Sequence, residues 1–289
     1  MLPAKNHQAF KVIFSGMLYG TLGFFGMSLL ASGMSVFTML FWRFLIAGIL
    51  IIVFFKKNAA LKSLLQKDLA IGSLAYGVSA AFYFLASVDI GSGLAMVLFF
   101  TYPAMVILFA WAWEKRAIFL ATIFSLASIF LGMVLLWDGN AAIKISGFGW
   151  ALGSAFLYAV FIIANASNKK SSDPLTATVC LSFSSALLFF ILSLLRNEFT
   201  IPNSFAQWSN ILAIAILATA MPAYLLLDGL QGIEKGKAAI LTALEPITTV
   251  ILGILFLHEA ITLRQLTGVI VVLLGVIFIQ FEKGNNHGV

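Results

Sequence analysis

The chain has little cysteine, little histidine and little charge, and each scarcity removes a class of protein. Its one cysteine, Cys180, lies inside an apolar stretch, so neither a disulfide framework nor a thiolate metal cluster can be built. Of the three histidines, His7 and His287 sit in the tails. His258 precedes Glu259 as at the start of a zinc-binding helix, but Thr262 stands where that motif needs its second histidine. No metal site and no cofactor are expected. A nucleotide-binding loop is also missing, so ATP is not a direct energy source. Charged residues make up 10% of the 289 and hydrophobic ones 62%, with a mean hydropathy of +1.06. A soluble domain is roughly 45–50% apolar and could not cover that much hydrocarbon surface. The net charge of +6 would suggest nucleic acid only if the basic residues formed one face of a soluble domain; here they sit in short loops, and no nucleic-acid partner is expected.

What the chain does have is apolar blocks about twenty residues long, the length of a bilayer-spanning helix. Helices are expected at 12–30, 36–55, 69–88, 92–113, 117–137, 147–167, 174–195, 209–228, 238–257 and 263–281. The first run exceeds the apolar core of a secretory signal and reads as an uncleaved anchor. Ten spans place both termini on one side. Thirteen of the seventeen basic residues then fall in the tails and the loops of that side, from Lys5 and Lys11 to Lys283. The alternate loops hold Lys144, Arg196 and Arg264, and Arg43 lies inside a helix. The positive-inside rule makes both termini cytoplasmic, in a bacterial-type inner membrane.

An ungapped superposition of Pro103 on Pro246 brings Gly93-Leu94-Ala95 onto Gly236-Lys237-Ala238 and Leu131-Gly132-Met133 onto Leu274-Gly275-Val276. The fold expected is therefore all-α, ten transmembrane helices as two five-helix repeats, residues 1–137 and 147–289, joined by a linker at 138–146. An odd number of helices per repeat makes the two inverted, the arrangement of transporters that expose one site alternately to either side. Pro103, Pro222 and Pro246 lie within apolar helices, where a proline removes a backbone bond and kinks the chain; they are the candidate hinges.

The pattern of small residues, then proline, then an acidic residue at a helix end, then a glycine-bearing helix runs through Gly236-Lys237-Ala238, Glu245-Pro246, Glu259, Gly268 and Gly275. It resembles the EamA branch of the drug/metabolite transporter superfamily, as do the length, the two halves and Arg43 in the second helix. The first half departs from that pattern, with Tyr102-Pro103 in place of an acidic residue before proline and Glu114 two places short of the position matching Glu259. The resemblance implies secondary transport, often efflux, of amino acids, nucleotide-like metabolites or drugs.

Two ionisable residues, Arg43 and Glu245, fall near mid-depth in a helix. Each costs roughly 2.5–3.5 kcal/mol if left in hydrocarbon, so each must face the bundle interior, water or a partner. Either they form a fixed ion pair between helices two and nine, or Glu245 contacts a substrate amine or carries a coupling proton. All six tyrosines lie within expected helices, where a phenol needs a hydrogen-bond partner or a polar cavity. Tyr19, Tyr83, Tyr102, Tyr158 and Tyr224 join Glu245 and Arg43 as candidates for substrate contact or coupling, with Trp42, the one tryptophan away from an expected helix end. Glu259, Glu114, Asp89 and Asp228 lie at helix ends, where capping or gate contacts are cheap. The pairs Gly16/Gly20 and Gly149/Gly153 have helix-contact spacing. The expected function is secondary transport of a small metabolite. The rival readings are an intramembrane enzyme, which would need a nucleophile and base or a metal set at membrane depth, and a non-transporting receptor or assembly subunit.

Overall fold

The computed structural model describes residues 4–55, 67–114, 120–136, 144–166, 174–229 and 244–285. The repeat motif Gly236-Lys237-Ala238 and most of the 138–146 linker lie outside these. Helices run α1 Ala4–Gly20, α2 Leu22–Ala31, α3 Val36–Phe55, α4 Lys67–Ile90, α5 Ser92–Phe99, α6 Tyr102–Glu114 and α7 Leu120–Leu136. They continue as α8 Ile145–Ala166, α9 Pro174–Leu195, α10 Phe205–Ala215, a π-helical turn Ile216–Ala220, α11 Met221–Gly229, α12 Leu244–Phe256 and α13 Leu263–Asn285. Six of the described helices are long and apolar enough to cross a bilayer, and with the shorter apolar ones this is an all-helical membrane protein of about ten helices.

The radial distribution of polarity is the reverse of a soluble protein. Phe54, Phe124, Phe130, Leu195, Leu255 and Leu274 point outward, each more than half exposed, while Ser15, Thr38, Arg43, Ser79, Ser154, Ser185 and Thr249 are buried. In lipid, burying apolar side chains gains little, so close packing and interior hydrogen bonds hold the helices together. Helices α4 and α8 show both. Ser79 Oγ donates to the Ser154 carbonyl at 2.8 Å and Ser154 Oγ to the Ser79 carbonyl at 2.7 Å, so each serine satisfies the other's backbone. Next to Ser154, Gly153 makes room for the ring of Phe82, one turn on from Ser79. Of the expected packing glycines Gly149 is not one, because a methyl there would meet nothing within 4 Å.

Helices of the first half pack on helices of the second: α4 on α8, α7 on α13, α3 on α9, α1 on α11 and α5 on α12.

Of the three intramembrane prolines, Pro103 and Pro246 stand at the start of a described helix, and Pro222 lies within a continuous helical run from Phe205 to Gly229. The fourth expected helix is broken at Phe100–Thr101, and Pro103 is the second residue of α6. Pro246 likewise sits in the first turn of α12. In a first turn the missing N–H has no intrahelical acceptor to lose, so proline starts these segments at little cost. Ahead of Pro222 the chain continues as helix, and the turn before it widens to π geometry, a rearrangement that re-sorts the carbonyls a proline leaves unmatched.

Candidate functional site

A cavity of about 240 Å3 lies inside the bundle, walled by α1, α3, α4, the α5–α6 break, α8, α9, the π-turn, α11 and α12. Its lining is mainly aromatic: Tyr19, Tyr76, Tyr83, Phe99, Phe100, Tyr102, Tyr158 and Phe161. Tyr158 is the hub of the cluster, with ring centroids 4.7 Å from Tyr102, 5.0 Å from Phe99 and 5.9 Å from Tyr76. Ser79, Ser154, Thr178, Ser182 and Thr219 add hydroxyls to this wall.

Both intramembrane charges reach the same cavity. Glu245 is carried by the first turn of α12, where the partial positive charge of a helix N-terminus favours a carboxylate. That turn is pressed against the end of α1: a methyl at Gly20 would stand 2.5 Å from Thr248 Cβ and 2.8 Å from the Glu245 carbonyl oxygen. Thr249 Oγ1 lies 3.0 Å from the Gly20 carbonyl and 3.1 Å from that of Glu245, which ties the two helix ends together and sets Tyr19 beside Glu245. Arg43 is 2% exposed on α3; its Nε donates to Thr219 Oγ1 at 3.0 Å and its Cζ sits 4.8 Å from the centre of the Phe44 ring. No ion pair joins Arg43 to Glu245 among the described residues, whose pairs are Lys11–Asp228, Lys144–Asp89 and Arg196–Glu198.

Of the residues singled out from sequence, Glu245, Arg43, Tyr19, Tyr83, Tyr102 and Tyr158 meet on this wall. Tyr224 and Trp42 do not. Tyr224 is 39% exposed and packs on Phe55, on the outer side of α11. Trp42 turns outward to the α9–α10 connection, where its indole donates to the Thr200 carbonyl at 3.2 Å and its ring meets Trp208. A helix that is apolar all round carries no facing signal, so which side of it a lone aromatic takes is not readable from spacing. The same blindness hid Tyr76, Ser79, Ser154 and Thr219. Their signal was polarity at membrane depth, which marks Thr219 and the two serines as surely as it marks the tyrosines.

At the end of the bundle where α12 turns into α13, Glu259 caps α5. Its Oε1 accepts from the Ser92 amide at 2.6 Å and the Ser92 hydroxyl at 2.7 Å, and its Oε2 from the Gly93 amide at 3.0 Å. These are the free N–H groups of the first turn of α5, which a carboxylate caps well. The carboxylate fits because three glycines surround it: a methyl at Gly91, Gly93 or Gly253 would stand 3.1, 3.3 or 2.5 Å from one of its atoms. The left-handed backbone of His258, φ 55°, turns the chain into this cradle. Close by, Asp89 accepts from Ser146 Oγ at 2.6 Å and pairs with Lys144 at 3.2 Å, while at the opposite end Asp228 pairs with Lys11.

The profile of the EamA-like transporter family matches the chain twice, over residues 8–137 and 145–281. Threonine/homoserine exporter RhtA of Escherichia coli (strain K12) is 27% identical over 227 residues, covering 76% of this chain and 73% of that protein. The uncharacterized transporter YvbV of Bacillus subtilis (strain 168) is 24% identical over 219 residues, covering 70% of this chain and 68% of the relative. One crystal structure superimposes with a TM-score of 0.66 at 17% identity over 98% of this chain and 99% of its own, a likeness of fold. Two matches of one profile, spanning nearly all of an all-helical chain with a central cavity, establish that the protein belongs to the EamA-like transporter family.

Proposed function

We propose that the protein is a secondary transporter that exports a small amphipathic metabolite bearing an amine, with amino acids the first class to test. It works by alternating access of the central cavity between two inverted halves, 1–137 and 147–289, in an inner membrane with both termini cytoplasmic. The observation that carries this reading is that Glu245 and Arg43 line one aromatic cavity without pairing to each other. A buried charge is costly, and a carboxyl kept at membrane depth without an ion pair has its use in meeting a substrate amine or a coupling proton. The tyrosine walls suit the same cargo, since aromatic faces attract ammonium groups and accept apolar side chains.

Two further observations support the scheme. The known relatives are transporters, one of them an exporter of two amino acids. The main packings between the halves are also unchanged if each expected helix of one half is exchanged for its counterpart in the other: the first meets the eighth and the third the sixth, while the second, fourth and fifth each meet their own counterpart. A pseudo-two-fold axis of this kind is what inverted repeats require. The deciding experiment is counterflow and efflux in reconstituted vesicles with a panel of amino acids, nucleosides and amines. Glu245→Gln should abolish flux of the accepted compound while the protein still inserts and folds. A double variant Arg43→Gln/Glu245→Gln with native flux would remove Glu245 from the mechanism.

A further inference from the structure

We infer that the Arg43 end of the cavity is a subsite for a carboxylate, with Thr219 as its positioning residue, so that the cargo carries an acid group as well as an amine. The inference rests on the transport reading for the route of the ligand, but on separate residues for its chemistry.

It starts from the π-turn. Widening the helix over Ile216–Ala220 turns Thr219 inward, where it is 6% exposed on the cavity wall. A threonine hydroxyl has one proton, and Thr219 gives it to the Ile214 carbonyl at 2.9 Å, five residues back. The oxygen is thereby turned to accept, and it receives the Arg43 Nε proton at 3.0 Å. With Nε bonded and Cζ resting on the Phe44 ring, the guanidinium plane is held from one edge and one face. Single-turn π segments occur frequently at functional sites, and this one supplies the hydroxyl that orients the buried cation.

One terminal nitrogen of the guanidinium is unmatched. Arg43 Nη1 has no hydrogen-bond partner, and neither do Ser182 Oγ and Tyr83 Oη, two further hydroxyls of the same lining. Tyr76, Tyr19 and Tyr83 stand around the cation, and Tyr76 hydrogen-bonds to it. Leaving buried donors unsatisfied is expensive, and a planar fork of N–H groups at the wall of a cavity matches a carboxylate better than any neutral group. A phosphate dianion would also suit the fork, but Glu245 on the same wall repels a second negative charge. A carboxylate at Arg43 and an ammonium at Glu245 neutralise both charges of the site with one zwitterion.

The test compares acids with their amides, which differ at this one group. Purified protein in detergent is titrated calorimetrically with L-threonine, L-leucine and L-phenylalanine and with the carboxamide of each. The wild type should bind at least one acid about tenfold or more tightly than its amide. Arg43→Gln should bring that ratio to about one. Thr219→Val keeps the side-chain shape and loses the acceptor, so it should lower the ratio severalfold, while Thr219→Ser should retain it. Should Arg43→Gln fail to fold, the Thr219 pair carries the test, because a threonine of merely structural value would not change acid against amide. Equal binding of acid and amide in the wild type, binding of none of the three acids, or an unchanged ratio in Thr219→Val overturns the subsite. Acid preference without flux in vesicles sinks the transport reading and leaves the subsite standing. Flux of amines without acid preference does the reverse.

Discussion

Gly132 of α7 and Gly268 of α13 meet backbone to backbone. A methyl at Gly132 would stand 2.9 Å from the Gly268 carbonyl oxygen and 2.8 Å from the Val272 amide; a methyl at Gly268 would stand 2.8 Å from the Gly132 carbonyl oxygen. Neither obstacle is a flexible side chain, so the helices must separate to admit one. Gly132→Leu should therefore lower the melting temperature in detergent and reduce expression, an effect on the order of 2–3 kcal/mol or more. Gly149→Ala is the control: its methyl enters open space, and stability should stay within about 0.5 kcal/mol of native. Equal melting temperatures for Gly132→Leu and Gly149→Ala would contradict the close crossing.

Glu259→Ala should expose the first amides of α5. Hydrogen exchange across 91–99 should quicken by a factor corresponding to about 1–2 kcal/mol, the worth of a helix cap. Gly253→Ala should reproduce the effect without touching the carboxylate, because its methyl would stand 2.5 Å from Glu259 Oε2 and displace it. Native exchange in both variants would mean that the cap contributes nothing to the order of α5.

Reporter fusions after residue 142 and at the carboxyl terminus should give opposite topology signals, since ten spans put the link between the halves across the membrane from both termini. Like signals would overturn the ten-helix count and the inverted halves together.

Thr249→Val should weaken the junction of α1 with α12, because its hydroxyl lies within bonding distance of the Gly20 and Glu245 carbonyls. The expected loss is about 1 kcal/mol in thermal stability, within the range seen for interior hydrogen bonds between membrane helices. Since Glu245 rides on that first turn, flux should fall more than stability does. A variant that loses stability but transports at the native rate would uncouple the junction from the site.

Membrane helices betray their number readily and their facing poorly. Twenty-residue apolar blocks and the bias of basic loops gave the count, and Arg43 and Glu245 stood out because a charge in hydrocarbon is anomalous wherever it points. The break before Pro103 was half legible: the proline marked the place, but the separation of α5 from α6 at Phe100–Thr101 depends on packing. A capping role for Glu259 was legible from its place at a helix end, but that it caps α5 was not, since the contact joins residues 167 positions apart. The π-turn was equally hidden, because α and π geometry differ by a fraction of a residue per turn and Ile216–Ala220 is composed as any apolar helix is.

The pairing of first-half helices with second-half helices has a consequence for biosynthesis. A ribosome delivers α1 to α7 to the membrane before α8, α9, α11 and α12 exist, so the early helices enter the lipid with their lasting neighbours still untranslated. Arg43 waits there without Thr219, and Ser79 without Ser154. Assembly is thus deferred to the second half of synthesis, and a nascent chain halted near residue 140 should be a loose set of helices, open to digestion by a membrane protease that the finished bundle resists.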